Sequence, residues 1–137
     1  MKNFLKLSFL PINNDIALLF IRVWFCTSLF VKHGIEKFTK FPQMVTHFPD
    51  PLHVGPTIGL SFALVADAIC TILIILGLGT RLGAIIMVIN LLIVFALLHQ
   101  FSFMKDHAEL VYTYLGLTIF IVLAGPGKYS LDNKLPK

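Results

Sequence analysis

Residues 16–38 read IALLFIRVWFCTSLFVKHGIEKF, and this stretch decides the fold. Its first two-thirds are nearly all apolar, while its last two turns gather Lys32, His33, Glu36 and Lys37. Blocks of about 20 apolar residues cross a bilayer as helices. Three more blocks follow, at 56–78, 80–103 and 107–124. The whole chain of 137 residues is 57% hydrophobic and 13% charged, with a mean hydropathy of +0.86. A soluble domain carries about 25% charged residues. A transmembrane barrel needs shorter segments that alternate in polarity, and these blocks do not alternate. The expected fold is therefore all-α, an integral membrane four-helix bundle spanning at 16–38, 56–78, 80–103 and 107–124.

The links between the blocks are unequal. Spans two and three are joined by the tight turn GLGTR, and spans three and four by MKD. The link from span one to span two, TKFPQMVTHFPDPLHVG, is longer. Its Phe41, Met44, Val45 and Phe48 fall at i, i+3, i+4 and i+7, which predicts a short helix at the interface. Before the first span, Lys2 and Lys6 among Phe4, Leu5, Phe9 and Leu10 read as an interfacial segment rather than a cleaved signal. Gly125, Pro126 and Gly127 stop the last span. The chain reads as one domain, 1–137, without internal repeats.

The formal charge is +4. In a membrane chain that excess marks cytoplasmic loops and anionic lipid, not nucleic acid. With four spans, Lys2, Lys6, Arg81, Lys128, Lys134 and Lys137 share one side, against mainly Lys37, Lys40 and Lys105 on the other. Both termini are expected in the cytoplasm, with KHGIEKF, the long link and HQFSFMKDHAE outside.

A charge at mid-bilayer costs about 2.5–3.5 kcal/mol on insertion scales, so each needs a partner. A helix turns about 100° per residue; with Arg22 at zero, Cys26 falls at about +40°, His33 at about +20°, Glu36 at about −40° and Lys37 at about +60°. These five form one inward stripe, and Trp24, at about −160°, points to lipid. Asp67 lies near the middle of span two and is the expected partner of Arg22 in a buried ion pair. Cys26 and Cys70 fall at similar depth on inward faces. They read either as a redox-active thiol pair or as two small core residues that let helices approach.

The outer half is denser in polar groups. His33, Glu36 and Lys37 from span one, His99 from span three, and Glu109 and Tyr112 from span four form the expected pocket. Asn90 lies about 180° from His99 on span three, so only one faces inward, and His99 is the expected one. Carboxylate di-iron bundles use Glu-x-x-His on two helices plus a Glu from each of the others. Here the order is His-x-x-Glu, once, and no metal is expected. Two readings stay open for this cluster: a network of salt bridges holding the helices, or a pocket for a small molecule such as a quinone headgroup that exchanges protons.

Three motifs then coincide. HGIEKF at 33–38 is similar to the G-x-x-K element closing the first span of the DoxX family. LGLGTRLGA at 76–84 resembles that family's G-x-x-T-R turn, and GPGKYSLDNKL at 125–135 its closing G-P-G-[RK]-Y-S-[LI]-D signature. Asp67 stands where the family more often has Glu. The resemblance runs from about Ala17 to Leu135 and marks Arg22, Gly34, Lys37, Asp67, Gly77, Thr80, Arg81, Glu109, Gly125, Gly127, Ser130 and Asp132. It implies a multi-pass protein of the bacterial inner membrane. It also implies a link to quinone-dependent redox systems, from which the family takes its name, or a role as a scaffold for a larger membrane complex. The resemblance does not imply a catalytic residue. The expected partners are the bilayer, a quinone or other small hydrophobic ligand, and a membrane protein partner or second copy. The chain shows no dinucleotide fingerprint, phosphate-binding loop or CxxC.

Overall fold

The chain turns helical after Asn13, whose side chain accepts a hydrogen bond from the Ile16 N–H (3.0 Å) and so caps the first helix. The structure, a computed structural model, describes residues 13–136; the expected interfacial segment at Lys2–Leu10 lies outside them. The described helices are α1 (Asn14–Thr39), α2 (Phe41–Val45), α3 (Pro56–Leu76), α4 (Thr80–Leu98) and α5 (Ala108–Ala124). With 26, 21 and 19 residues, α1, α3 and α4 are long and apolar enough to cross a membrane. At 17 residues α5 is apolar but shorter.

The expected span boundaries lie within about two residues of the helix ends except at one. The third span, α4, stops at Leu98, not Phe103. His99 folds back so that its N–H bonds Val94 O (3.1 Å) and Lys105 Nζ bonds Leu98 O (3.0 Å), tying off the last carbonyls. Gln100 and Phe101 then take φ of 52° and 55°, which ends the helix. The freed aromatics pack back on the bundle, Phe101 and Phe103 against Phe95 at 5.5 and 5.6 Å between centroids. The short α2 forms as its spacing predicts. Phe41, Met44, Val45 and Phe48 are its half-buried residues, whereas Pro42, Gln43, Thr46 and His47 are exposed.

Each long helix buries small and polar residues beside a few large apolar ones and turns many large apolar residues outward. On α1 the buried face is Arg22, Phe25, Cys26 and Leu29, at i, i+3, i+4 and i+7. On α4 it is Thr80, Gly83, Ala84, Met87, Asn90 and Leu91. Phe20, Trp24, Ile69, Leu82 and Leu123 are largely exposed, and Trp24, at 69%, stacks on Phe20. This inverted pattern suits a bundle surrounded by lipid, where helices approach through small residues.

Three of the helices contain a π-helical turn: Phe30–Gly34 in α1, Val65–Cys70 in α3 and Val94–Leu98 in α4. Such turns are rare and concentrate at functional sites. Gly34 brings the first two together. A Cβ there would stand 2.7 Å from the Asp67 carbonyl oxygen, so only glycine admits this crossing.

Candidate functional site

Gly34 is the level at which α1 meets α3, and Lys37 comes one turn later on the same face. Its Nζ donates to Asp67 Oδ2 at 2.7 Å, and the Lys37 and Asp67 side chains are only 12% and 8% exposed. Asn90 Nδ2 donates to the other oxygen, Asp67 Oδ1, at 3.2 Å. The Thr71 hydroxyl donates to the backbone carbonyls of Asp67 and Ala68, both at 2.8 Å, and holds the π turn that presents the carboxylate. Three helices thus converge on one ion pair, the usual way for an intramembrane charge to be tolerated.

The expected Arg22–Asp67 pair does not form. Arg22 lies twelve residues before Gly34, about 18 Å along the helix from the level of Asp67. Its guanidinium is fully buried at the opposite end, where it donates to the carbonyls of Pro126 and Tyr129. Lys37, placed by the sequence in the pocket, is the partner Asp67 takes. Cys26 and Cys70 are both buried free thiols within one apolar core cluster.

The outer cluster is also redistributed. His33 is half-buried on the inward stripe, but Glu36 turns away and pairs with the exposed Lys40 at 3.4 Å. The inward residue of α4 is Asn90, not His99. His99 sits beyond the helix end, with its ring nitrogens 3.0 Å from Val94 O and 3.2 Å from Asp106 O, as a loop staple. On α5 the buried face is Ala108, Tyr114, Leu115, Thr118 and Ile121. Glu109 and Tyr112 are exposed on the opposite side, where Tyr112 packs against Phe95 and Phe103. From the sequence Asn90 is expected to face outward in favour of His99, although Gly83, Ala84 and Met87 at i−7, i−6 and i−3 mark the Asn90 face as the one where helices meet. Tyr114, whose OH lies 2.9 Å from Ser28 Oγ, was missed.

Two cavities flank the Lys37–Asp67–Asn90 cluster. The larger, about 330 Å³, is enclosed by Leu29, Leu91, Val94, Leu110 and Val111, with polar groups from Lys32, His33, Lys37, Asp67, Asn90, His107 and Tyr114. The smaller, about 150 Å³, lies under the link that carries α2, against Phe48, Pro49, Leu52, Val54, Phe62 and Leu98. Lys37, Asp67, Asn90 and Val94 line both. Asp50 helps shape the roof of the smaller one by accepting from the Val54 and Gly55 N–H groups at 3.0 and 2.9 Å.

The larger cavity has hydrogen-bonding capacity left over. Lys37 uses one of its three N–H groups on Asp67. Asn90 spends its amide nitrogen on Asp67, which leaves its carbonyl oxygen free among the described residues. The His33 ring makes no hydrogen bond among them. Donors and acceptors therefore coexist on apolar walls. Among the described residues no three His, Cys, Asp or Glu side chains group to hold a metal.

At the other end, the closing segment locks the bundle. Asp132 accepts from the N–H groups of Gly79 (2.6 Å) and Thr80 (2.9 Å), capping α4 from a distance of 52 residues in sequence. Its own N–H returns to Gly77 O at 2.8 Å. Gly77, at φ 74°, is where Ser130 and Arg22 press closest; a Cβ there would come within 2.6 and 2.7 Å of their atoms. Burial works against the charge of Asp132, but the N–H groups of Thr80 and Gly79, helped by the positive charge of Arg22, hold its carboxyl below the usual range.

Residues 17–100 match the sequence profile of the DoxX family, a stretch that holds Arg22, Gly34, Lys37, Asp67 and Asn90. An uncharacterized protein of Haemophilus influenzae is 32% identical over 119 residues, covering 80% of this chain and 84% of its own length. No solved structure matches. An all-helical bundle with membrane-length helices, matched over most of them, makes this chain a multi-pass membrane protein of the DoxX family.

Proposed function

We propose that this protein is a quinone-linked accessory of a membrane redox system, with the larger cavity as the headgroup site. The observation that carries this reading is the combination of apolar walls with unspent polar groups on Lys37, Asn90 and His33. A quinone carbonyl accepts a hydrogen bond and a quinol hydroxyl donates one. A wall offering both serves either redox state. The volume, about 330 Å³, falls at the low end of small-molecule sites, roughly 300–1,000 Å³. The protein supplies binding and proton exchange, and a partner supplies the electrons.

The test is titration of purified protein in lipid nanodiscs with a short-chain quinone analogue. Saturable binding is expected, weakened about tenfold or more by His33→Ala, consistent with loss of a buried polar contact. His99→Ala is expected to leave it unchanged, because His99 staples a loop. Absence of binding by the intact protein at saturating analogue sinks the reading. It then favours the second one, a scaffold for a larger complex. One observation supports that rival: both Asp67 oxygens are satisfied internally, so the cluster can hold the helices without an occupant.

We infer further that the membrane is the bacterial inner membrane, with both termini cytoplasmic and the cavity end outward. Arg81, Lys128 and Lys134 lie at the end of the closing segment, and Lys2, Lys6 and Lys137 adjoin that end in sequence, against Lys32, Lys40 and Lys105 as unburied cations at the other. A fluorescent-protein fusion at the C-terminus is expected to glow and an alkaline phosphatase fusion there to stay inactive. The reverse pattern would invert the topology.

A further inference from the structure

We propose that the larger cavity binds its occupant as an oxyanion: an apolar body bearing one ionised oxygen acid. This rests on the ligand-binding reading above and adds the charge state of the ligand. The argument is the inventory of charges around the cavity. From α1 come Lys32, His33 and Lys37; from the start of α5 comes His107; α3 brings Asp67, and α4 brings only the neutral Asn90. Lys37 and Asp67 compensate each other at 2.7 Å. Among the residues that line the cavity, the remainder is one full positive charge, Lys32, with two imidazoles.

The other acidic residues nearest in sequence do not line this cavity. Glu36 is drawn to Lys40, whereas Asp106 and Glu109 line an adjoining surface groove with Lys105, and His107 borders both that groove and the cavity. Those carboxylates offset His107, so the positive charge left to the cavity is Lys32, beside His33. Lys32 forms no ion pair among the described residues. Below this cationic mouth the walls are Leu29, Leu91, Val94, Leu110 and Val111. An anionic head at Lys32 and His33 would place its apolar body against them. Low-dielectric walls strengthen such an attraction beyond its value in water.

The smaller cavity differs in this respect. Its extra charged residue, Asp50, is already committed to two backbone N–H groups. Selection for an anion therefore belongs to the larger cavity alone.

The experiment compares 2-hydroxy-1,4-naphthoquinone, ionised at neutral pH, with its neutral 2-methoxy ether. Binding is read by equilibrium dialysis against protein in zwitterionic nanodiscs, with empty discs as baseline. The anion is expected to bind up to about fivefold more tightly than the ether, the upper end for one partly exposed charge contact. Lys32→Gln, a surface change that leaves the fold intact, is expected to erase that preference while the ether is unaffected. Lys128→Gln, at the far end, is expected to change neither. An ether that binds as tightly as the anion overturns the proposal while leaving the pocket in place. So does an anion affinity untouched by Lys32→Gln. If neither compound binds, the ligand-binding reading falls and this inference with it.

Discussion

Asp67 is the most consequential single residue in the fold. A carboxylate in the membrane is costly unless it is paired and hydrogen-bonded, and here α1 and α4 each supply one donor. Removing one partner of a buried pair leaves the other charge uncompensated, typically at about 3–5 kcal/mol. Lys37→Met should therefore destabilise the bundle by about 3 kcal/mol. The double change Lys37→Met with Asp67→Asn should recover most of it, because the new amide can still meet Asn90. A denaturant titration of the four proteins in detergent measures this coupling. Losses that simply add would mean that the two side chains act independently. Arg22 shows another solution to the same problem. It is buried without a carboxylate within ion-pair distance among the described residues, and it is solvated by the carbonyls of Pro126 and Tyr129.

At the scale of the helices, much of the fold was legible and the facing was not. Apolar blocks about 20 residues long can hardly be anything but spans, and the prolines, glycines and Asn13 punctuate them where the structure does. The α1 stripe was readable, except at Glu36, because its charges are few and fall near one line. On α4 and α5 the signal failed. These helices are apolar nearly all round, since lipid outside and protein inside accept the same side chains. The polar residues that drew attention, His99, Glu109 and Tyr112, sit near helix ends, where water and headgroups make their direction uninformative. Small residues were the better guide: Gly83 and Ala84 point to the face of Asn90. The π turns left no mark in the sequence, because they depend on a shift in hydrogen-bond register that neighbours impose. Each shift rotates the residues after it relative to those before. In α1 that rotation falls between Arg22 and Lys37, and it helps explain why Asp67 meets the latter.

At the scale of the whole molecule, the closing signature is a clasp. It ties the start of α1 through Asp15 and Lys128 (2.9 Å), the middle of α1 through Arg22, and the α3–α4 turn through Asp132. The glycines and acids that resemble a family motif thus serve the end of the bundle opposite the cavity. Asp132 also gives the clasp a pH dependence. Its carboxyl is held below its ordinary value of 3.8, so the folded protein binds a proton there less readily than the unfolded chain. Stability from this residue is therefore complete above that ordinary value and fades as pH falls through the lower folded-state value. Asp132→Asn keeps one acceptor oxygen but loses the other and the charge, and should cost about 1 kcal/mol at neutral pH. The gap to the parent should narrow under acid, because protonation removes from the parent the same charge that the substitution has already removed. Melting temperatures of both proteins from neutral pH down into the acid range decide it. Parallel curves would mean that the clasp holds through its backbone hydrogen bonds and the Arg22 carbonyl contacts, and that the Asp132 charge contributes nothing to it.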